Sequence, residues 1–337
     1  MMILVRILEK WCQDYRMSIS VTKTKVVSPN PKLLWQIYNS ESGKQETVER
    51  IIQFKYLGLL QKHGVEATVL CNAVGKLEKA EHYQKNILRV RRLIPDKVDV
   101  YLAMWKNVAL PSILYGLEAL PFSSIEEEKI EKVQISLGKS ILGIRQSTAG
   151  PVVYTELGLK PISMLITERK IRYVSQVLHP DYQGSEIVKF LMGQHMREKC
   201  SLFYKDMATR LNDIHVKPED IDASTLKRYQ DSVIAGIILK IDSYTSLKAL
   251  PIPPQNRWFK KQPYISEEPW SQVIAEFRGG NARIGNRDDS LGGLVVTNEQ
   301  GRAVSCPLCL QGPNNEVHLL IDCKKMIAER RRHSLPN

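Results

Sequence analysis

The chain lacks any apolar run near the roughly 20 consecutive residues that a membrane helix needs, so no membrane partner is expected. Its opening, MMILVRILEKWCQDYR, does not read as a secretory signal, because Arg6 and Glu9 interrupt the apolar stretch and no small-residue cleavage site follows. Cysteine is scarce. Of six, Cys12, Cys71 and Cys200 are scattered singly and the other three crowd beside a histidine near the C-terminus, which speaks against a disulfide framework. An intracellular location, nuclear and/or cytoplasmic and not secreted, is the expectation. There is no phosphate-binding glycine loop, no nucleophile motif, no internal repeat and no low-complexity tract, so most enzyme classes find no support.

What is present is charge. Lys and Arg number 48 against 36 Asp and Glu, a net of +12, on an ordinary globular background of 43% hydrophobic and 25% charged residues. Such an excess favours a polyanionic partner, because each cation seated at a phosphate releases condensed counterion. A length of 337 residues allows two or three modules, each with its own core.

Along the chain, Ile3, Leu4, Ile7, Leu8 and Trp11 recur at helical spacing without a preceding cap, as if the chain opened in mid-helix, and a natural start elsewhere is expected. Met17, Ile19 and Val21 alternate with Ser18, Ser20 and Thr22 and predict a strand. The polar stretch 39–49 reads as a loop, and FKYLGLL (Phe54–Leu60) as a short strand. From 66 to 93 the period is helical, with Leu70, Ala73, Val74, Leu77, Ala80 and Leu88 on one face and Lys79, His82, Lys85, Arg89 and Arg92 roughly opposite. That basic face reads either as a solvated helix surface or as a surface that tracks phosphates. Further helices are predicted over 97–109 (stopping before Pro111), from a Ser124–Glu127 capping box to Leu142 with Gly143 ending it, and over 161–178, 184–213 and 224–242. PIPP at 251–254 marks a boundary.

The most specific chemical signal is Cys306-Pro-Leu-Cys309 followed by His318 and Cys323, spaced C-x2-C-x8-H-x4-C. Two thiolates on one tight turn, completed by an imidazole and a third thiolate, form a closed tetrahedral donor set for structural Zn2+. The alternative is a chance cluster of reduced cysteines. Lys324, Lys325, Arg330 and Arg331 follow, a run that suits phosphate contact beside a rigid knuckle or a plain solvated helix end.

Five segments in order resemble one family, the non-LTR (LINE-type) retrotransposon reverse transcriptases. VTKTKVV (Val21–Val27) is similar to the lysine-bearing segment behind their catalytic hairpin, and FKYLG (Phe54–Gly58) to their primer-grip strand. LPSILYGLEAL (Leu110–Leu120) and ELGLKPI (Glu156–Ile162) resemble the helical thumb. FRGGNARIGNR (Phe277–Arg287) with the cysteine motif resembles the C-terminal zinc module. The resemblance implies a mainly α chain: a truncated α+β palm remnant over 1–62, a thumb-like helical domain over 63–180, a helical linker over 181–276, and a zinc-knuckle module with a basic tail over 277–337. The remnant is expected to be loosely held, its sheet left with an unpaired edge.

It further implies that Lys23 or Lys25 would sit behind a polymerase site, that Phe54, Tyr56, Leu57 and Gly58 would support a primer end, and that the helices would clamp a template–primer of RNA and DNA. Polymerases of this family hold two Mg2+ ions about 3.5–4 Å apart on aspartates, one from an upstream strand and one from an [FY]-x-D-D hairpin. Neither is in the sequence. Asp288-Asp289, the only adjacent pair, follows Gly285-Asn286-Arg287 and lacks flanking apolar strands. Mg2+ therefore belongs only to a full-length enzyme, no catalytic residue is assigned, and the chain alone is expected to be inactive. The alternative is a freestanding zinc-dependent protein-interaction or nucleic-acid-binding protein derived from such an element.

Overall fold

The computed structural model describes residues 2–28, 30, 35–39, 42–56, 58–94, 97–243, 259–261, 265, 323, 324 and 327. These are mainly helical, and no helix among them is long and apolar enough to cross a membrane. Two compact units divide the chain at Glu78, within one long helix.

The first unit opens with α1 (Met2–Asp14), then β1 (Lys25–Val27), β2 (Trp35–Asn39) and β3 (Lys44–Ile51). Strand order is β1-β3-β2, with β1 parallel to β3 (Lys25 opposite Glu49) and β2 antiparallel to it (Ile37 opposite Glu46). β4 (Gln53–Tyr56) and β5 (Leu59–Lys62) form a separate hairpin. Few apolar side chains are fully buried here, chiefly Cys12, Ile37, Val48 and Ala73, while Ile7, Leu8, Trp11, Tyr15 and Ile52 stay exposed.

Three sequence expectations in this unit are corrected. The alternation at Met17–Val21 does not form a strand, because Thr24 donates both its amide and its hydroxyl to the Ser20 carbonyl and Lys23 N–H bonds there too. Hydroxyl residues that bond the nearby backbone compete with a strand ladder. The polar stretch is no loop. It is the β2–β3 hairpin, with Gly43 in the left-handed region at φ 67°, and its strands look polar because β3 buries only Val48. FKYLGLL is two strands, reversed at Gly58 (φ 85°).

Helix α2 (Val65–Leu93) spans the division. The second unit continues with α3 (Val98–Ala103), a π-helical turn over Met104–Ala109 and α4 (Leu110–Leu114). The expected stop before Pro111 is not observed. Pro111 sits in the first turn of α4, where its missing N–H costs nothing, and just ahead the Leu110 N–H reaches back five residues to the Trp105 carbonyl. A local π turn absorbs a break in the ordinary ladder.

α5 (Ser124–Leu142) is capped one residue earlier than the sequence predicts. Ser123 is the N-cap, its Oγ accepting the Glu126 N–H while its hydroxyl donates to the Glu126 carboxylate. Gly143 ends it at φ 72°, as expected. There follow α6 (Pro151–Leu157), α7 (Ile162–Leu178), α8 (Glu186–Glu198), α9 (Leu202–Leu211) and α10 (Thr225–Ser243). The stretch read as helical from 184 to 213 is thus two helices, separated at Lys199, which adopts the left-handed conformation at φ 52°. α7 is central. Ile171, Val174 and Val177 pack with Met192, Phe203 and Met207 from α8 and α9.

Pro161 offers no side-chain cap to α7. The half-buried Glu131 of α5 does so instead, accepting the Ile162 N–H and, at 2.8 Å, the Tyr154 hydroxyl. Gln134 donates to the same carboxylate and to the Lys160 carbonyl, and accepts the indole N–H of the fully buried Trp105 at 2.9 Å. One polar seam thereby locks α5, α6, α7 and the π turn together.

Candidate nucleic-acid interface

On α2 the buried positions Ala73, Ala80 and Ile87 recur along one face. Lys79, His82, Lys85, Arg89 and Arg92 are all exposed. At about 100° per residue, His82, Lys85, Arg89 and Arg92 fall on the side away from the buried row, and Lys79 on its flank. None of the four strong bases makes an ion pair among the described residues. His82 bonds Asn86 at 2.9 Å within the same row. From Lys79 to Arg92 the helix advances about 20 Å, so the cations form a stripe and not a point. Glu78 and Glu81 are exposed on the same side of the helix, Glu81 four residues ahead of Lys85, so the stripe is predominantly and not purely cationic. Solvated cations without carboxylate partners keep the charge that attracts phosphate.

The other expected contacts divide. Lys25 is half-buried and its ammonium pairs with Glu49, directly across the β1–β3 ladder, so it holds the sheet edge. Lys23 stays exposed in a turn. Phe54 and Tyr56 lie on β4 with ring centroids 6.5 Å apart in a stacked arrangement, and Tyr56 is exposed. Gly58 occupies the turn, and Leu57 lies outside the described residues.

Of the metal-ligand set, Cys323 is described and fully buried. Cys306, Cys309 and His318 lie outside the described residues, as do Lys325, Arg330 and Arg331, while Lys324 is exposed. Among the described residues no three His, Cys, Asp or Glu come together as a metal site.

The sequence reading missed an ionic cluster inside the second unit. Lys170 of α7 is fully buried, with Nζ 3.1 Å from Asp206 Oδ2, bonded to the Leu120 carbonyl and 5.0 Å from the Phe203 ring centroid. Arg210, one helical turn beyond Asp206, donates to it at 2.8 Å, to the Phe122 carbonyl at 2.8 Å and to Glu127. Burial pulls the Lys170 ammonium down to about 8, partly opposed by Asp206. Burial likewise pushes the Glu127 carboxyl up, with Arg210 opposing. Two cations and two anions balance, so the cluster orients helices and presents no net charge. The signal for it was the pair Asp206–Arg210 spaced four apart between the apolar positions Phe203, Met207 and Leu211 of α9.

A cleft of about 620 Å³ opens beside the end of α7, with Ile171, Tyr182 and Leu226 among its lining and Arg172, His179 and Asp181 at its edge. Asp181 and Asp222 line it together with Arg172, so it is not a basic surface.

No family model matches the chain, and no match was found among curated proteins or solved structures.

Proposed function

We propose that this chain is a nucleic-acid-binding protein that grips the phosphate backbone through the exposed cationic face of α2, and that it represents the C-terminal portion of a LINE-type reverse transcriptase without the catalytic aspartates. The single observation that carries the binding reading is the row Lys79, Lys85, Arg89 and Arg92, solvated and without acidic partners among the described residues. Backbone contacts of this kind position a duplex without reading its sequence. The ordered sequence motifs support the family reading. Cys306, Cys309, His318 and Cys323 would hold a structural Zn2+, whose role would be to fold the C-terminal region; three thiolates and an imidazole suit that ion.

The test is direct. The purified chain is titrated into labelled duplex DNA, RNA–DNA hybrid and single-stranded RNA, then given primer, nucleotides and Mg2+. Binding that weakens steeply with salt and no nucleotide incorporation are expected. Incorporation would overturn the claim of inactivity, and indifference to all three nucleic acids in dilute buffer would overturn the function.

A protein-binding role has one observation in its favour: Ile187, Phe190 and Leu191 on α8 are 70%, 59% and 50% exposed at helical spacing. Association with a protein that persists at high salt, without affinity for nucleic acid, would mark that reading as the right one.

A further inference from the structure

Phe259, Lys260, Lys261 and Ile265 lie far along the chain from the helices they touch, yet each is held by a separate interaction. Gly158, the C-cap of α6, has φ +61°, and a Cβ added there would come within 2.6 Å of the Lys260 backbone nitrogen and Cα. The backbone of Lys260 therefore passes over a notch that only a glycine leaves open. Phe259 adopts φ 59°, a left-handed conformation that a bulky residue keeps only where its surroundings hold it. Its ring packs on the α7–α10 core and lies 5.6 Å from the Lys160 ammonium. Lys261 reaches Asp99 of α3 at 2.9 Å and donates to the Ile265 carbonyl at 2.8 Å. Ile265 itself is fully buried. A chain resting by chance on the surface would not combine a steric notch, a held backbone conformation, an ion pair and complete burial of an aliphatic side chain.

We propose that the end of α6 is a docking site for a linear segment of this same chain, with the pattern Phe-Lys-Lys followed four residues later by Ile265. The segment is a tether. Everything C-terminal to Ile265, including the cysteine motif, is then joined to the helical unit at this fixed anchor and not at the end of α10. The site fits a segment with one aromatic, one cationic and one aliphatic anchor, and it stands independently of nucleic-acid binding.

Hydrogen-exchange mass spectrometry on the full chain tests this. In the wild type, amides of 259–265 should exchange at least tenfold more slowly than in an unstructured peptide of the same sequence. Gly158→Val should raise their exchange at least tenfold while α5 and α7 keep their protection. Asp99→Lys, at a side chain 80% exposed, should raise exchange several-fold, and Asp99→Lys with Lys261→Asp should restore it. If Gly158→Val loosens α5 and α7 as well, the charge-reversal series decides alone. Peptide-like exchange in the wild type, or no response to Asp99→Lys, overturns the proposal.

Discussion

Replacing Lys85 and Arg89 together with alanine removes two of the four strong bases from the α2 stripe. Both side chains are exposed and neither pairs with an acid among the described residues, so folding stability should move by no more than about 0.5 kcal/mol. If each cation displaces counterion from a duplex, the slope of log affinity against log salt falls by about 0.9 per residue, or about 1.8 for the pair. Taking the contacts as neutral near 1 M salt, the double variant should bind about 60-fold more weakly at 0.1 M but only about 3.5-fold more weakly at 0.5 M. Fluorescence anisotropy with a labelled 20-base-pair duplex across that range measures both quantities. Lys129→Ala with Lys132→Ala on α5 makes the same change in net charge elsewhere, on lysines paired with Glu126 and Glu128, and should alter the slope far less. An unchanged slope in the α2 variant, an equal loss at both salt concentrations, or an equal effect from the α5 control would refute the assignment of phosphate contact to this face.

Lys170→Met should cost about 3–5 kcal/mol in urea unfolding because it leaves Asp206 and Glu127 to share Arg210 alone, whereas Lys170→Met with Asp206→Leu should recover most of that, since Arg210 keeps Glu127. Ser123→Ala should cost about 1 kcal/mol and Ser124→Ala almost nothing, read by thermal unfolding of paired variants; the reverse order would move the cap of α5 back to the expected register. Glu219 accepts hydrogen bonds from Lys199 and Tyr204, which push its carboxyl from 4.5 down to about 2. Because the folded value is the lower one, this stabilisation is whole above about pH 4.5 and is lost as pH falls toward 2. Urea midpoints at pH 7, 4 and 2.5 should show the gap between wild type and Glu219→Gln closing with acid.

The helical half of the fold was legible because burial writes a 3.6-residue period into the sequence, and α2, α5, α7 and α10 match their predicted spans to within a residue or two. The stripe on α2 was legible for the same reason: Ala73 and Ala80 mark the inner side and Arg89 lies nearly opposite them, although Ile87, which completes the buried row, was not among the apolar positions read from the sequence. Leu70 and Val74 were misplaced, being more than half exposed, since hydrophobicity alone does not say how wide the buried face is. The β2–β3 hairpin was invisible because a two-sided solvated ribbon carries no alternation to read, and the lone buried positions Ile37 and Val48 are too few to set a period. Lys25 looked like a functional cation because its partner Glu49 arrives only through strand pairing 24 residues away.

The error at the start of α5 shows how a long-range contact settles a local tie. Ser123-Ser124-Ile125-Glu126-Glu127 contains two overlapping capping boxes, Ser123 with Glu126 and Ser124 with Glu127, and helix chemistry alone does not separate them. Using Glu127 in the cap would hold its carboxylate at the solvated helix end and leave Arg210, with its side chain only 8% exposed, short of one anion deep in the unit. A buried cluster left with Lys170 and Arg210 against Asp206 alone costs several kcal/mol, whereas the two caps differ by no more than tenths. The chain therefore caps with Ser123 and Glu126, and Glu127 turns inward to Arg210, 83 residues away. The same inequality explains why the i,i+4 pair Asp206–Arg210 of α9 faces inward: on a surface it would be worth a few tenths of a kcal/mol, but in contact with Lys170 and Glu127 it fixes how α5, α7 and α9 meet.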